Sequence, residues 1–174
     1  ELVRLSRILG VLKQMDHVRP FILHLAKGAK NAGERQMVAR LGQQLGQTDL
    51  AVRSAKISLR AGTLLLETGY PVLDNLAPMK IEPALAHAVA RQESEFDPRA
   101  VSSASARGLM QLLPRTARKV AKNIGLRYRR DRLFDGRYNI RLGAAYLGQL
   151  IKNYRGSYIL ALAAYNAGPN RVTR

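Results

Sequence analysis

Short amphipathic segments recur from residue 1 to about residue 75, and that recurrence confines this part of the chain to helices. Leu2, Leu5, Ile8, Leu9 and Leu12 fall at i, i+3, i+4 spacing, which predicts one helix with these residues as its apolar stripe. Asp16 is the expected N-cap of a second segment carrying Phe21, Ile22, Leu23 and Leu25. Asn31 opens a third with Met37, Val38 and Leu41, and Thr48, after Gly46, opens a fourth with Leu50, Ala51, Ala55 and Leu59. A helix of this kind buries one stripe only, so it must stack on its neighbours. The spacing of roughly 16 residues, doubled, approaches the period of an antiparallel helix-pair solenoid. A plain helical bundle meets the same pattern nearly as well.

A turn cluster at Gly69, Tyr70 and Pro71 ends this part, and residues 77 to 80 lead to Glu82 and Pro83, where proline suits the first turn of a new helix. The expected boundary therefore divides residues 1 to 78 from residues 79 to 174. From Pro83 onward Leu85, Ala86, Val89 and Ala90 form one apolar face, and Phe96 and Pro98 end the helix. Glu93 lies four residues past Val89 and so on that same face. A carboxyl turned toward a helical core without a cation holds its proton to higher pH, which is what a general acid needs. Ser102 and Gln111 are candidate polar groups for the same cavity, and Gly108 lets a neighbouring backbone come close. The competing reading gives Glu93 an ordinary capping or ion-pairing role at a helix end.

Composition narrows the partners more than the chemistry. The chain has 29 Lys plus Arg against 12 Asp plus Glu, a formal charge of +17, which favours an anionic partner without naming it. From Met79 onward 18 basic residues face 6 acidic ones, so the excess lies with Glu93. Cysteine is absent, which excludes disulfides, thiolate zinc sites and a cysteine nucleophile. His17, His24 and His87 stand apart with no metal-ligand spacing, so neither a metal nor a cofactor is expected. The longest uncharged apolar run, residues 158 to 165, is too short to cross a bilayer. The chain begins inside a helical pattern, shows no signal peptide, and is expected to be a fragment cut short at Arg174.

Glu93-Ser94, Pro98, Ser102, Gly108-Leu109-Met110-Gln111 with Pro114, Asn139 with Gly143, Tyr146-Leu147, and Ala164-Tyr165-Asn166-Ala167-Gly168-Pro169 occur in that order. Together, over about residues 80 to 174, they resemble the soluble lytic transglycosylases. The resemblance implies an all-α chain, a lysozyme-like catalytic domain preceded by a superhelical array of helix pairs. It also implies cleavage of the β-1,4 bond between N-acetylmuramic acid and N-acetylglucosamine in peptidoglycan strands, in the bacterial periplasm. Glu93 falls on the family's catalytic glutamate, Ser102, Met110 and Gln111 on groove-lining positions, and Tyr165 and Asn166 on the block beside the acid. Core packing is as good a reading for Met110 as ligand contact, and Tyr146 reads as core. The family usually carries glycine where Ser105 stands, so a turn with positive φ is strained here if the loop keeps its shape. A hydrolytic muramidase, a non-catalytic glycan-binding module, and a nucleic-acid-binding helical protein using Arg127, Arg129, Arg130 and Arg132 remain as alternatives. No nucleic acid is expected as the partner.

Overall fold

A computed structural model describes residues 1 to 74 and 76 to 172, and these are helical with turns and two isolated bridges. The expected cut at Arg174 lies outside the described residues. The chain divides into two compact units, Glu1–Val72 with Glu95–Asp97, and Leu73–Ser94 with Pro98–Arg174.

The first unit is built from α1 (Leu2–Val11), α2 (Met15–Gly28), α3 (Ala32–Gln44), α4 (Thr48–Arg60) and the single turn α5 (Leu66–Gly69). Helices pack in sequence pairs, α1 on α2 and α3 on α4, with α2 also against α4. Val18, Ile22, Ala26, Val38, Leu41 and Leu50 form its core. Asn31 caps α3 as expected, its side chain accepting from Glu34 N at 2.9 Å, while the Glu34 carboxylate accepts from Lys30 N at 2.7 Å. Asp16 is no cap: Gln14 occupies that position and Asp16 lies within the first turn, where its charge suits the helix dipole. Thr48 is likewise the first residue of α4, after Gln47.

Only part of the stripe expected on α1 faces the core: of its five residues Leu9 packs inward. Leu5, Ile8 and Leu12 are exposed, whereas Ser6 is fully buried and Val3 and Leu9 pack inward. Small residues explain the choice. Ser6 and Gly10 lie one turn apart, and a Cβ on Gly10 would stand 2.4 Å from Leu45 Cδ2, so this face lets the Leu45 side chain approach the helix closely. Ser6 satisfies its hydroxyl on Leu2 O at 2.9 Å. Three carboxylates of this unit meet cations: Glu95 takes Arg53 Nε at 2.7 Å and Lys56 Nζ at 2.8 Å, and Arg19 bonds the buried Asp49 and lies 3.5 Å from Asp97.

The second unit contains α6 (Pro83–Ser94), α7 (Pro114–Asn123), a 3-10 turn (Asp131–Phe134), α8 (Gly136–Asn153), α9 (Tyr158–Ala167) and α10 (Pro169–Val172). Pro83 and Pro114 open their helices at a position where no N–H is needed. The 18-residue α8 is the spine: α6, α7, α9 and the 3-10 turn all pack on it, and eight of its residues are buried. Asp135 caps it by accepting from Tyr138 N at 3.2 Å, and Gly168 at φ 87° with Pro169 stops α9.

Gly42 on α3 meets the backbone of α4, for a Cβ there would lie 2.9 Å from Ala51 N and 3.2 Å from Leu50 C. Backbone cannot yield as a side chain can. Gly42→Ala is therefore expected to destabilise by about 1–3 kcal/mol despite alanine's better helix propensity. Gly28→Ala, in open space, is expected to be neutral or stabilising. Urea unfolding midpoints compare the two.

Candidate active site

Residues 100 to 112 fold into a tight knot that seats the site. Arg107 and Leu112 exchange backbone hydrogen bonds at 3.0 and 3.1 Å, Gly108 N donates to Ala100 O at 3.0 Å, and Gln111 N closes the turn on Gly108 O at 3.0 Å. Gly108 has φ 74°, and a Cβ on it would stand 2.2 Å from Leu133 O and 2.4 Å from Asn139 Nδ2. Glycine is therefore required twice over, by dihedral and by space.

Asn139, fully buried on α8, is what the knot closes onto. Its Oδ1 accepts from Met110 N at 2.8 Å, and its Nδ2 donates to Arg107 O and Leu133 O, each at 2.8 Å. One turn further, Gly143 leaves room for Met110, whose Sδ would lie 2.3 Å from a Cβ there. Met110 is 0% exposed. Its side chain is core, and it does not line the candidate cavity. Its carbonyl accepts the Tyr165 hydroxyl at 2.7 Å, and Tyr165 stacks obliquely on Tyr146 with ring centroids 5.4 Å apart. Ser94, with one hydroxyl hydrogen, lies 2.8 Å from Leu109 O and 3.2 Å from Ala90 O, and so holds the end of α6 to the same knot.

These contacts leave a cavity of about 390 Å³ between α6 and α9, lined by Leu85, Ala88, Val89, Gln92, Glu93, Leu162, Tyr165 and Asn166. Glu93, Tyr165 and Asn166 thus come together as expected of neighbours at one site. Ser102 and Gln111 do not line this cavity. Ser102 Oγ accepts from Ala106 N at 3.1 Å, and Gln111 Nε2 donates to Gly108 O and Ala100 O at 2.9 and 3.1 Å, so both brace the knot. Gln92 and Leu162 are lining residues that sequence reasoning passed over. Gln92 sits beside Glu93 on the last turn of α6, and its adjacency is a signal that would have found it.

Glu93 is half-buried, and no salt bridge among the described residues includes it. Burial raises its pKa above the ordinary 4.5, and among the described residues no cation opposes the shift. The phenol of Tyr165 is pushed well above its ordinary value, first by burial, then by the negative charge of Glu93 and by Tyr146. It therefore stays neutral and keeps its hydrogen on Met110 O. Glu95, two residues from Glu93, behaves in the opposite way: burial raises its pKa, but the hydrogen bonds and charges of Lys56 and Arg53 prevail and hold it below the usual range. Of the arginines between residues 127 and 132, Arg129 pairs with Asp131 at 2.7 Å, and Arg132 pairs with Asp135 at 2.9 Å while lying over the Tyr138 ring. His87 is structural, its Nε2 accepting from Leu73 N at 2.9 Å and its Nδ1 lying 2.6 Å from Pro83 O. Among the described residues no group of three or more His, Asp and Glu is placed to hold a metal, and no helix is long and apolar enough to cross a membrane.

An all-helical unit with a carboxyl of raised pKa, in no salt bridge among the described residues, in a cleft has the make-up of a lysozyme-like domain. The profile described as the transglycosylase SLT domain matches residues 72–174, and the chain belongs to that family. A Haemophilus influenzae protein assigned as a soluble lytic murein transglycosylase is 48% identical over 117 residues, 67% of this chain and 19% of its own length. The soluble lytic murein transglycosylase of Escherichia coli K12 is 32% identical over 154 residues, 83% of this chain and 23% of its own. The chain thus spans about a fifth of the length of these relatives. The crystal structure of the 70-kDa soluble lytic transglycosylase from Escherichia coli superposes with a TM-score of 0.78 at 30% identity, covering 97% of this chain and 28% of that one. An inactive Glu-to-Gln mutant of the lytic transglycosylase Slt from Pseudomonas aeruginosa superposes with a TM-score of 0.79 at 29% identity, with the same coverage.

Replacing Asn139 by alanine leaves Met110 N and Leu133 O without this partner, while Arg107 O keeps its hydrogen bond from Leu112 N. At about 1–3 kcal/mol per orphaned group, the expected loss is about 3 kcal/mol or more, read as a lowered unfolding midpoint. Ser105, exposed and at φ 63°, sits where a side chain is strained. Ser105→Gly is expected to stabilise by about 0.5–1 kcal/mol, seen as a melting temperature a few degrees higher.

Proposed function

We propose that this chain cleaves the β-1,4 bond between N-acetylmuramic acid and N-acetylglucosamine in peptidoglycan, leaving 1,6-anhydro-N-acetylmuramic acid ends. The observation that carries the reading is Glu93: a carboxyl whose pKa is raised by burial alone, in a cleft of about 390 Å³ between α6 and α9. The family and the inactive Glu-to-Gln relative support it. In this reading residues 1 to 78 form the superhelical scaffold, residues 79 to 174 form the catalytic domain, and the site of action is the bacterial periplasm.

Protonated Glu93 donates to the glycosidic oxygen as the bond from that oxygen to C1 of muramic acid breaks and positive charge develops on the ring. The 6-hydroxyl of the same sugar then bonds to C1, and its proton passes to the Glu93 carboxylate, which restores the acid. No water is consumed. The nucleophile is tethered, so its effective concentration replaces a second enzymatic carboxylate. Glu95 suits no acid role, because Arg53 and Lys56 keep it ionised. Asn166 and Gln92 offer amides to the sugar beside Glu93. Tyr165 supports the cavity, and Ser102 and Gln111 border the glycan through the knot they brace, with Gln111 Oε1 free to accept from a sugar hydroxyl. Met110 serves through its backbone and its volume.

Glu93→Gln is expected to lower release of anhydro-muropeptides from purified sacculi by a factor of about 1,000 or more while the protein stays folded. Mass spectrometry reads the product. Ends heavier by one water would assign hydrolysis instead, and full activity of the variant would remove Glu93 from the mechanism.

The raised pKa fixes two pH dependences. Activity requires the protonated acid, so the rate falls as pH rises through the native pKa of Glu93. For stability, the native state holds a proton that the unfolded chain has released, from about 4.5 up to the native pKa. Over that window stability falls as pH rises, and above it this contribution is constant. Glu93→Gln has no such slope, so it is expected to be more stable than the parent at neutral pH and to lose that advantage below about 4.5, as thermal melts across pH would record.

A further inference from the structure

The second unit contains another cleft, of about 460 Å³, and none of its lining residues is shared with the Glu93 cavity. One wall is a stripe of α8 in which Arg141, Ala145, Gly148, Gln149 and Lys152 follow at i, i+4, i+7, i+8 and i+11. Ala145 and Gly148 leave a shallow floor between the two cations. Lys80 also lines the cleft, from residues 77 to 80, and Asn123 brings an amide from the end of α7. No carboxylate lines the cleft among the described residues, and the salt bridges of those residues do not use Lys80, Arg141 or Lys152.

The chemistry of these walls selects the ligand. A lone phosphate would engage one cation and leave most of the volume empty. A single-stranded nucleic acid is held by aromatic faces beside its phosphate contacts, and among the described residues no aromatic side chain lines this cleft. Arg141 and Lys152 are eleven residues apart, which spaces them by about 16 Å along the helix, and about five extended residues of a peptide span that distance. Between them lie a floor suited to small side chains and the amides of Gln149 and Asn123, which suit peptide groups. We propose that this cleft binds a short, extended peptide bearing carboxylates near both ends, held by Arg141 and Lys152, with Lys80 as a third cation on its wall. Only the source of such a peptide, the acidic side branches of the glycan, rests on the function proposed above.

The test uses the 174-residue chain and a fluorescein-labelled acetyl-Glu-Ala-Ala-Ala-Glu probe in fluorescence anisotropy. Saturable binding is expected, weakened by about tenfold or more when both glutamates of the probe become glutamines. The same loss is expected in the double variant Arg141→Gln, Lys152→Gln, with Lys80→Gln, outside any helix, as a second variant. Arg141 and Lys152 are exposed, so circular dichroism should show the double variant intact. Glu93→Gln should bind the probe unchanged, which separates failure of this site from failure of the catalytic reading. Absence of saturable binding, equal affinity in the folded double variant, or stronger displacement by oligothymidylate than by unlabelled peptide would overturn the proposal.

Discussion

The amide of Asn139 is the point on which the second unit turns. A buried carboxamide is costly unless both of its ends are met, and here one oxygen and one nitrogen serve three backbone groups: Met110 N, Arg107 O and Leu133 O. Met110 N and Leu133 O lie outside any ladder, and Arg107 O takes this bond in addition to the one from Leu112 N. By closing them at once, Asn139 fixes the height of residues 107 to 110 above α8 and the start of the spine beneath the 3-10 turn. The rest follows by contact. Gly108 must be glycine because Asn139 and Leu133 O occupy the place of its Cβ, and Gly143 must be glycine because Met110 does. Met110, so placed, presents its carbonyl to Tyr165, and Tyr165 forms the wall of the Glu93 cavity.

Two glutamates separated by one serine show how environment divides roles among identical groups. Glu93 ends in a partly apolar cleft with no cation, and the cost of ionising it there holds its proton to higher pH. Glu95 lies beyond the helix end with two cations in hydrogen-bond reach, and those cations outweigh its burial. Ser94 keeps the two apart in function. Its hydroxyl is committed to Leu109 O and Ala90 O, which anchors the last turn of α6 and so fixes where Glu93 points.

The helices of the first unit and α6 were legible because periodicity and caps are local properties: Asn31 and Pro83 mark helix starts without reference to anything distant. The face each helix buries was less so. On α1 the leucines pointed to one stripe, yet Ser6 and Gly10 decided the packing, because closeness of approach depends on the partner Leu45 and not on hydrophobicity along α1. Glu93, Tyr165 and Asn166 were foreseen as neighbours from ordered motifs. Ser102 and Gln111 brace the loop that carries them, and Met110, for which core packing was as good a reading as ligand contact, is core; one sequence does not say which side of a knot faces inward. Asn139 left a signal. With Gly143 and Leu147 it forms an i, i+4, i+8 stripe in which a polar residue occupies a core position, and a polar residue in a core must have partners.

Strain gathers around the acid in a way that bears on how it is held. Glu95, Phe96, Ser105 and Gln111 all carry side chains at positive φ, and all lie within twenty residues after Glu93. Each costs of order 1 kcal/mol and persists only where neighbours over-determine it. The neighbours are identifiable for three of them: Phe96 is buried, Glu95 is clasped by Arg53 and Lys56, and Gln111 is tied by its own side chain to Ala100 O and Gly108 O. Ser105 has only a backbone turn to Ser102 O and lies exposed. Strain at the first three is coupled to the geometry of the helix end and the knot, so relieving it would move groups that other contacts fix. Strain at Ser105 is coupled to nothing beyond its own turn, which makes it the one of the four that glycine relieves without disturbing the rest.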